Sequence, residues 1–192
     1  MLETEQFPTI KTERLLLTLP PPETSARLLA YAIENQKHLA PWSPPRPDNY
    51  YTPAYWQDRL QLARDEFTRG ESLRLVLFKR DSPLEDVIGE CNFTSITRGP
   101  FQACYLGYNL DHLAEGQGLM SEALRAAIDY VFSDLKLHRI MANYMPANER
   151  SAKLLRRLGF TVEGYARDYL FIAGEWRDHI LTSLTSDKAG EK

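Results

Sequence analysis

The chain predicts an α/β (α+β) fold: a mixed central sheet of about seven strands with helices on both faces. Three observations carry that reading. Short apolar runs alternate with amphipathic stretches. A glycine-spaced turn joins one such run to a helix with a single apolar face. Two strand-like runs flank a tight Ala173-Gly174 turn near the end. The 192 residues, 43% of them hydrophobic, suffice for one substantial core, so residues 1–192 read as a single domain. Its ordered part spans roughly 10–185, and 185–192 read as a frayed tail.

Taken in order, Thr12–Thr18 is an apolar run stopped by Pro20, Pro21 and Pro22, and it reads as the first strand. Thr24 or Ser25 can cap a helix over roughly 24–38, with Leu28, Leu29, Ala32 and Ile33 facing inward. Residues 39–53 hold too many prolines for regular structure. They read equally as a stiff connector and, through Trp42, Tyr50 and Tyr51, as the wall of a binding pocket. A second helix covers about 53–68, with proline accepted in its first turn and Gly70 ending it. Strands follow at 72–79 and 87–94 as a hairpin, and Ala103–Leu110 leads into the glycine turn. Beyond it, Met120, Ala123, Leu124, Ala127, Ile128 and Val131 recur at three- and four-residue spacing, which marks a helix with one buried face. Residues 137–144 predict another strand, and Pro146 opens a short helix to Arg157 that Gly159 stops. Strands near 161–172 and 176–184 finish the chain.

A net charge of −3 gives no global basic signal for nucleic acid, so no DNA partner is expected. Cys91 and Cys104 show neither metal spacing nor a disulfide framework and fit a reducing cytoplasm. Cys104, on an apolar strand, reads as a small buried thiol rather than a nucleophile. The scattered histidines lack ligand spacing, so no metal site is expected. The N-terminus has no basic-then-apolar pattern and no run approaches membrane-spanning length. The expectation is a cytoplasmic protein with no membrane association.

The most informative stretch is Tyr105–Met120 with the helix behind it. Gly116 and Gly118 lack a Cβ, so the turn can expose successive N–H groups without steric penalty. Donors aimed along a helix axis, with the dipole behind them, suit a phosphate or pyrophosphate. Alone, such a glycine pair is more often only a tight turn.

Three motifs in order change that balance. Glu115-Gly-Gln-Gly-Leu-Met120 after a strand, Asn148-Glu-Arg-Ser151 opening the next helix and Leu158-Gly-Phe160 beyond it resemble the GNAT superfamily of N-acetyltransferases. Thr12-Glu-Arg-Leu15, Gly164-Tyr-Ala-Arg-Asp168 and Trp176-Arg-Asp-His179 are similar to its ribosomal-protein-alanine N-acetyltransferase branch, the RimJ-like type. The likeness implies acetyl-CoA as co-substrate, its pantetheine arm lying between two splayed parallel strands that end near Leu110 and Tyr144. It implies cofactor contacts at Tyr108, Asn109 and Leu110. The pyrophosphate would sit on the turn Glu115, Gly116, Gln117, Gly118, Leu119, Met120 and Ser121, with Asn148 and Arg150 completing the set. Two positions depart from the family pattern: Glu115 stands where Arg or Gln is usual, and Met120 where Gly or Ala is usual. Backbone donors do most of the holding, so binding is expected to survive both changes, with Glu115 turned to solvent. Arg150, Lys153, Arg156 and Arg157 crowd one helix, as a solvated basic face or as a contact to the 3′-phosphate or to ribosomal RNA.

Acetyl transfer from a thioester to an amine needs a neutral amine held close, donors for the oxyanion and a proton for the thiolate. A backbone N–H near Leu110 is the expected oxyanion donor. By residue type alone, Ser151 is a polar residue in the first helical turn, three positions after a capping Asn148. The resemblance makes it the group that protonates the thiolate, directly or through water. Many members carry a tyrosine four residues further on, where this chain has Leu155. An α-amino group titrates at about 7.7–8.0, so it needs less help from a base than lysine does. Glu90, Glu163 and Asp168 lie on predicted strands and could act through water. The plainer reading of each is a solvated strand residue. Trp42, Tyr50, Tyr51, Tyr169 and Trp176 are the expected acceptor cleft, with core packing an equal reading for Trp176.

The activity expected is acetyl-CoA-dependent N-α-acetylation of a protein N-terminus. The resemblance points to the alanine of the fifth small-subunit ribosomal protein, with the ribosomal particle as a further partner. Acetylation of small amines, or a non-catalytic acetyl-CoA-binding assembly factor, are the alternatives. A monomer and a homodimer both fit the sequence.

Overall fold

The computed structural model describes residues 7–186, so most of the predicted tail falls outside the described residues. An eight-stranded sheet runs in the order β1-β2-β3-β4-β5-β6-β8-β7. The strands are β1 (Thr9–Lys11), β2 (Leu15–Thr18), β3 (Leu73–Lys79), β4 (Val87–Thr97), β5 (Ala103–Leu110), β6 (Arg139–Met141), β7 (Thr161–Ile172) and β8 (Glu175–Thr185). Every pairing is antiparallel except β5 with β6. The helices are α1 (Ser25–Glu34), α2 (Gln36–Leu39), α3 (Pro53–Thr68), α4 (Leu119–Ser133) and α5 (Glu149–Arg157).

Strand alternation sorts the core into two layers. Leu73, Leu75 and Leu77 of β3 pack with Cys91, Phe93, Cys104 and Leu106 against the apolar face of α4 and against Leu154 and Leu155 of α5. Val76 and Phe78 point the other way, onto Leu28, Tyr31 and Ala32 of α1 and Trp56 and Leu60 of α3. The predicted α4 stripe is buried at all six positions.

The structure corrects several boundaries. The eighth strand arises because the predicted first strand is preceded by a short partner. Thr12 reverses the chain, its N–H donating to Leu15 O (2.9 Å) while its Oγ1 accepts from Leu15 N (3.0 Å). The helix predicted over 24–38 breaks at Asn35, and neither Thr24 nor Ser25 caps it through a side chain. Ile33 is 53% exposed, and Tyr31 occupies the inward position instead. Asn35 breaks the helix because its buried amide is engaged elsewhere, donating to Asp111 Oδ2 (2.9 Å) and accepting from His112 N (3.0 Å).

The strand predicted over 137–144 pairs with β5 for three residues only, ending at Tyr105 against Met141. Beyond that point the chain stays with β8: Ala142 N donates to Thr182 O (3.0 Å), and Tyr144 exchanges bonds with Ile180. β5 continues to Leu110 paired with β4 only. The two parallel strands therefore splay apart, and a gap opens in the middle of the sheet.

Candidate active site

A cleft of about 1790 Å³ passes through that gap. Pockets for one small ligand run to roughly 300–1,000 Å³, so this one has room for a cofactor arm and an acceptor together. Its walls come from α1, α2, the Pro-rich segment after it, α3, β4, β5, the glycine turn, the first turn of α4, α5, and the Ala173-Gly174 hairpin. That hairpin is tied to the Pro-rich segment by Ala173 N donating to Ser43 O (3.0 Å).

The glycine turn forms one end. Gly116 and Gly118 have φ of 75° and 77°, a left-handed region open to glycine and strained for other residues. Gly118 is the N-cap of α4 and offers no capping side chain, so the N–H groups of Leu119, Met120 and Ser121 are left for a ligand. The Thr12–Arg14 reversal clamps this turn from behind. Thr12 Oγ1 donates to Glu122 Oε1 (2.6 Å), Arg14 Nε to Glu122 Oε2 (2.7 Å), and Arg14 Nη1 to Gln117 O (3.0 Å). Burial pushes the Glu122 carboxyl up, but the Thr12 hydroxyl and the Arg14 N–H groups outweigh it and hold it below the usual range.

Met120 is buried in the α4 core, so its bulk points away from the ligand side. Gln117 turns back to donate to Leu113 O (2.9 Å) and does not line the cleft. Glu115 is not turned to solvent as expected. Its side chain, 26% exposed, pairs with Arg150 and approaches His38 Nε2 at 3.4 Å. Lys153 pairs with Glu149 one helical turn away. Asn148 caps α5 as expected, Oδ1 accepting from Ser151 N (3.1 Å).

The middle of the cleft is the splay. Gln102 O faces β6, accepting from His138 N and Arg139 N, whereas Asp111 N faces β4 and donates to Ile88 O (2.9 Å). Backbone groups alternate along a strand, so those of Tyr108 and Leu110 face the gap, past the end of the β5–β6 ladder. Leu110 N–H therefore points into the gap. The Tyr108 side chain runs into the α4–α5 layer beside Ser151, and both line the cleft.

The other end is acidic and aromatic. Tyr31 Oη donates to Asn109 Oδ1 (2.5 Å), and Asn109 Nδ2 donates to Glu90 Oε2 (3.1 Å). Burial, then the charges of Glu90 and Asp111, push the Tyr31 hydroxyl far up, so it stays protonated and donates. Arg46 lies 4.4 Å over the Tyr50 ring, and Tyr50 packs edgewise on Tyr51 and Trp56. Trp42, Tyr50 and Tyr51 line the cleft as expected. Burial, then the nearby Arg74 charge, lower the Arg59 guanidinium beside them.

Other expected residues lie apart from the cleft. Glu163 accepts from Ser183 Oγ (2.7 Å) and pairs with Arg139, at the closed end of the β5–β6 contact. Those partners hold its carboxyl below the usual range and make it a weaker base. Asp168 sits exposed at a bulge of β7, its N–H donating to Asp178 Oδ1 (2.9 Å). Tyr169 bonds Asn143 and packs on His179, while Trp176 is 61% exposed against Phe171, so neither forms part of the wall. Cys91 and Cys104 are buried free thiols, and burial pushes Cys104 up to about 12. Among the described residues no group of His, Cys, Asp and Glu could hold a metal, and no helix is long and apolar enough to cross a membrane.

Sequence reasoning missed Tyr31, Asn35 and Arg59 and the side-chain role of Asn109. The bonds that join Tyr31 to Asn109 and Asn35 to Asp111 and His112 span more than 70 residues, so no local spacing announces them.

A family model for the acetyltransferase (GNAT) domain matches residues 14–161. The chain is 46% identical over 177 residues to the ribosomal protein uS5-alanine N-acetyltransferase of Escherichia coli strain K12, covering 92% of this chain and 90% of that one. The crystal structure of the ribosomal-protein-S5-alanine acetyltransferase from Vibrio fischeri superposes with a TM-score of 0.90 at 37% identity, over 96% of this chain and 100% of that one. Mycobacterium smegmatis RimJ in complex with CoA-disulfide superposes with a TM-score of 0.85 at 25% identity, over 97% of this chain and 90% of that one. With the splayed strands and the uncapped glycine turn in place, these matches establish that the chain belongs to the GNAT acetyltransferase family.

Proposed function

We propose that this protein is an acetyl-CoA-dependent N-α-acetyltransferase whose acceptor is the N-terminal alanine of ribosomal protein uS5. The observation that carries the reading is the through-sheet cleft, with an anion-binding turn at one end and Glu90 among aromatic side chains at the other. The uS5-alanine enzyme, nearly half identical over most of both chains, supports the choice of acceptor. Residues from Tyr31 to Gly174 build the cleft, so roughly 10–185 act as one catalytic unit. An acceptor made on the ribosome places the reaction in the cytoplasm.

Each step maps to a residue. The N–H groups of Gly116 to Ser121 hold the pyrophosphate, and the exposed backbone of Tyr108 and Leu110 holds the pantetheine arm in the gap. Glu90, fixed by Asn109 and Tyr31, receives the α-ammonium group, which then gives its proton to a carboxylate-bound water. The neutral nitrogen attacks the thioester carbon. Leu110 N–H stabilises the oxyanion, the C–S bond breaks, and Ser151 Oγ–H protonates the departing thiolate. In steady-state assays with an Ala-initiated uS5 peptide, Ser151→Ala should lower kcat by about 10²-fold while CoA affinity holds. Unchanged kcat, or loss of CoA binding, would contradict this role for Ser151.

A further inference from the structure

Among the described residues Trp56 Nε1 and Tyr108 Oη are buried without a hydrogen bond of good geometry, and Ser151 is the side chain near enough to act on the Tyr108 hydroxyl. A buried, unpaired hydroxyl is costly and calls for an explanation in the site's chemistry. Tyr108 lies on the part of β5 that has left β6, and it lines the cleft together with Ser151. The polar groups acting on its hydroxyl are Ser151, on the first turn of α5, and Tyr144 across the gap. Ser151 is anchored through its main chain, its N–H donating to Asn148 Oδ1, which leaves the side chain to rotate. Burial pushes the Tyr108 phenol up to about 12, so near neutral pH it keeps its proton.

A protonated phenol has one hydrogen to give, and a serine hydroxyl has two lone pairs and one hydrogen. We infer that Tyr108 is a positioning residue for Ser151, its O–H donating to Ser151 Oγ and so directing the Ser151 proton into the cleft toward the departing thiolate. This rests on the reading of Ser151 as the proton donor. The balance closes without a charge on Tyr108. Ser151 gives its proton to sulfur, takes one back from water, and the proton released by the amine ends in solvent. Tyr108 keeps its own proton throughout and stabilises the transient charge on Ser151 Oγ.

The test is a double-mutant cycle of Tyr108→Phe and Ser151→Ala, with kcat, acetyl-CoA KM, CoA affinity and melting temperature for each variant. Tyr108→Phe removes a hydroxyl whose contact with Ser151 falls short of good hydrogen-bond geometry in the free enzyme, so the melting temperature should stay close to wild type. Its kcat should fall by about tenfold, the worth of one hydrogen bond in the transition state, with KM and CoA affinity within about twofold of wild type. In the Ser151→Ala background the same change should cost nothing further. Multiplicative losses would overturn the inference. So would weakened CoA binding at full kcat, which would make Tyr108 a cofactor contact. If Ser151→Ala alone keeps full kcat, the underlying reading of Ser151 fails, and that outcome is separate from a failure at Tyr108. Should Tyr108→Phe not fold, 3-fluorotyrosine at 108 keeps the hydroxyl as a stronger donor. Turnover at or above wild type then supports the inference, and turnover below it contradicts it.

Discussion

Glu115 stands where the proposed anion-binding turn begins, with Arg150 and His38 against its carboxylate. An acid beside a pyrophosphate repels it, and here the acid also holds an arginine that would otherwise be free to meet a phosphate. Arg150 is 76% exposed, so the pair itself contributes little to stability. Glu115→Gln removes the repulsion and releases Arg150. The acetyl-CoA KM should therefore fall by about two- to fivefold at low salt, with the gain shrinking as salt rises. A KM that rises would mean that Glu115 orders the turn rather than opposing the ligand. Residue type and spacing identified the turn but misjudged Glu115, because its partners lie on helices far along the chain in both directions. Ser151 with Asn148 was legible, since a cap and the N–H it accepts are three residues apart. Glu163 and Asp168 were not, because whether a strand residue faces a cleft depends on register and on bulges that only the folded sheet defines.

The elements show why the motif at Thr12–Arg14 matters to a turn a hundred residues later. A two-strand reversal at the sheet edge delivers Thr12 and Arg14 to Glu122, in the first turn of α4. Three charge-assisted bonds converge on one carboxylate and hold the helix start against the sheet. Glu122 is held below the ordinary carboxyl range in the fold. Its contribution is therefore complete above the unfolded-state pKa and is lost as pH falls through the folded one. Glu122→Gln should cost about 1–2 kcal/mol at pH 7 and leave a shallower acid limb in thermal melts recorded from neutral to low pH. The limb will not vanish, because Glu66 is also lowered: burial opposes its ionisation, but Ser72 and Arg74 outweigh burial. An acid limb identical to wild type would contradict this account of the clamp. Helices α3 and α4 were readable from proline, glycine and apolar spacing. The split of α1 from α2 was not, because Asn35 leaves the helix for partners on the loop after β5. β1 escaped notice because three residues carry too little period to register.

Over the whole molecule, one topological feature serves both substrates. Parallel β5 and β6 pair over three residues and then part, which opens the sheet from the α4–α5 layer to the α1–α3 layer. The donor end is built from backbone, and its glycines made it visible in the sequence. The acceptor end is built from side chains gathered across α1, the Pro-rich segment, α3, β4 and β5. No local pattern reveals such a set, so the aromatics were only half sorted: Trp42, Tyr50 and Tyr51 belong, while Tyr169 and Trp176 do not. The proposed activity of this cleft is acetylation of a protein α-amine. Mass spectrometry of products tests it, with acetyl-CoA and a mixed panel of Ala-, Ser- and Met-initiated peptides, polyamines and aminoglycosides. The expected result is one acetyl group on the α-nitrogen, with the Ala-initiated uS5 peptide consumed first. Acetylation confined to the small amines, or ribosomal particles bound with no acetyl transferred to any acceptor, would contradict it.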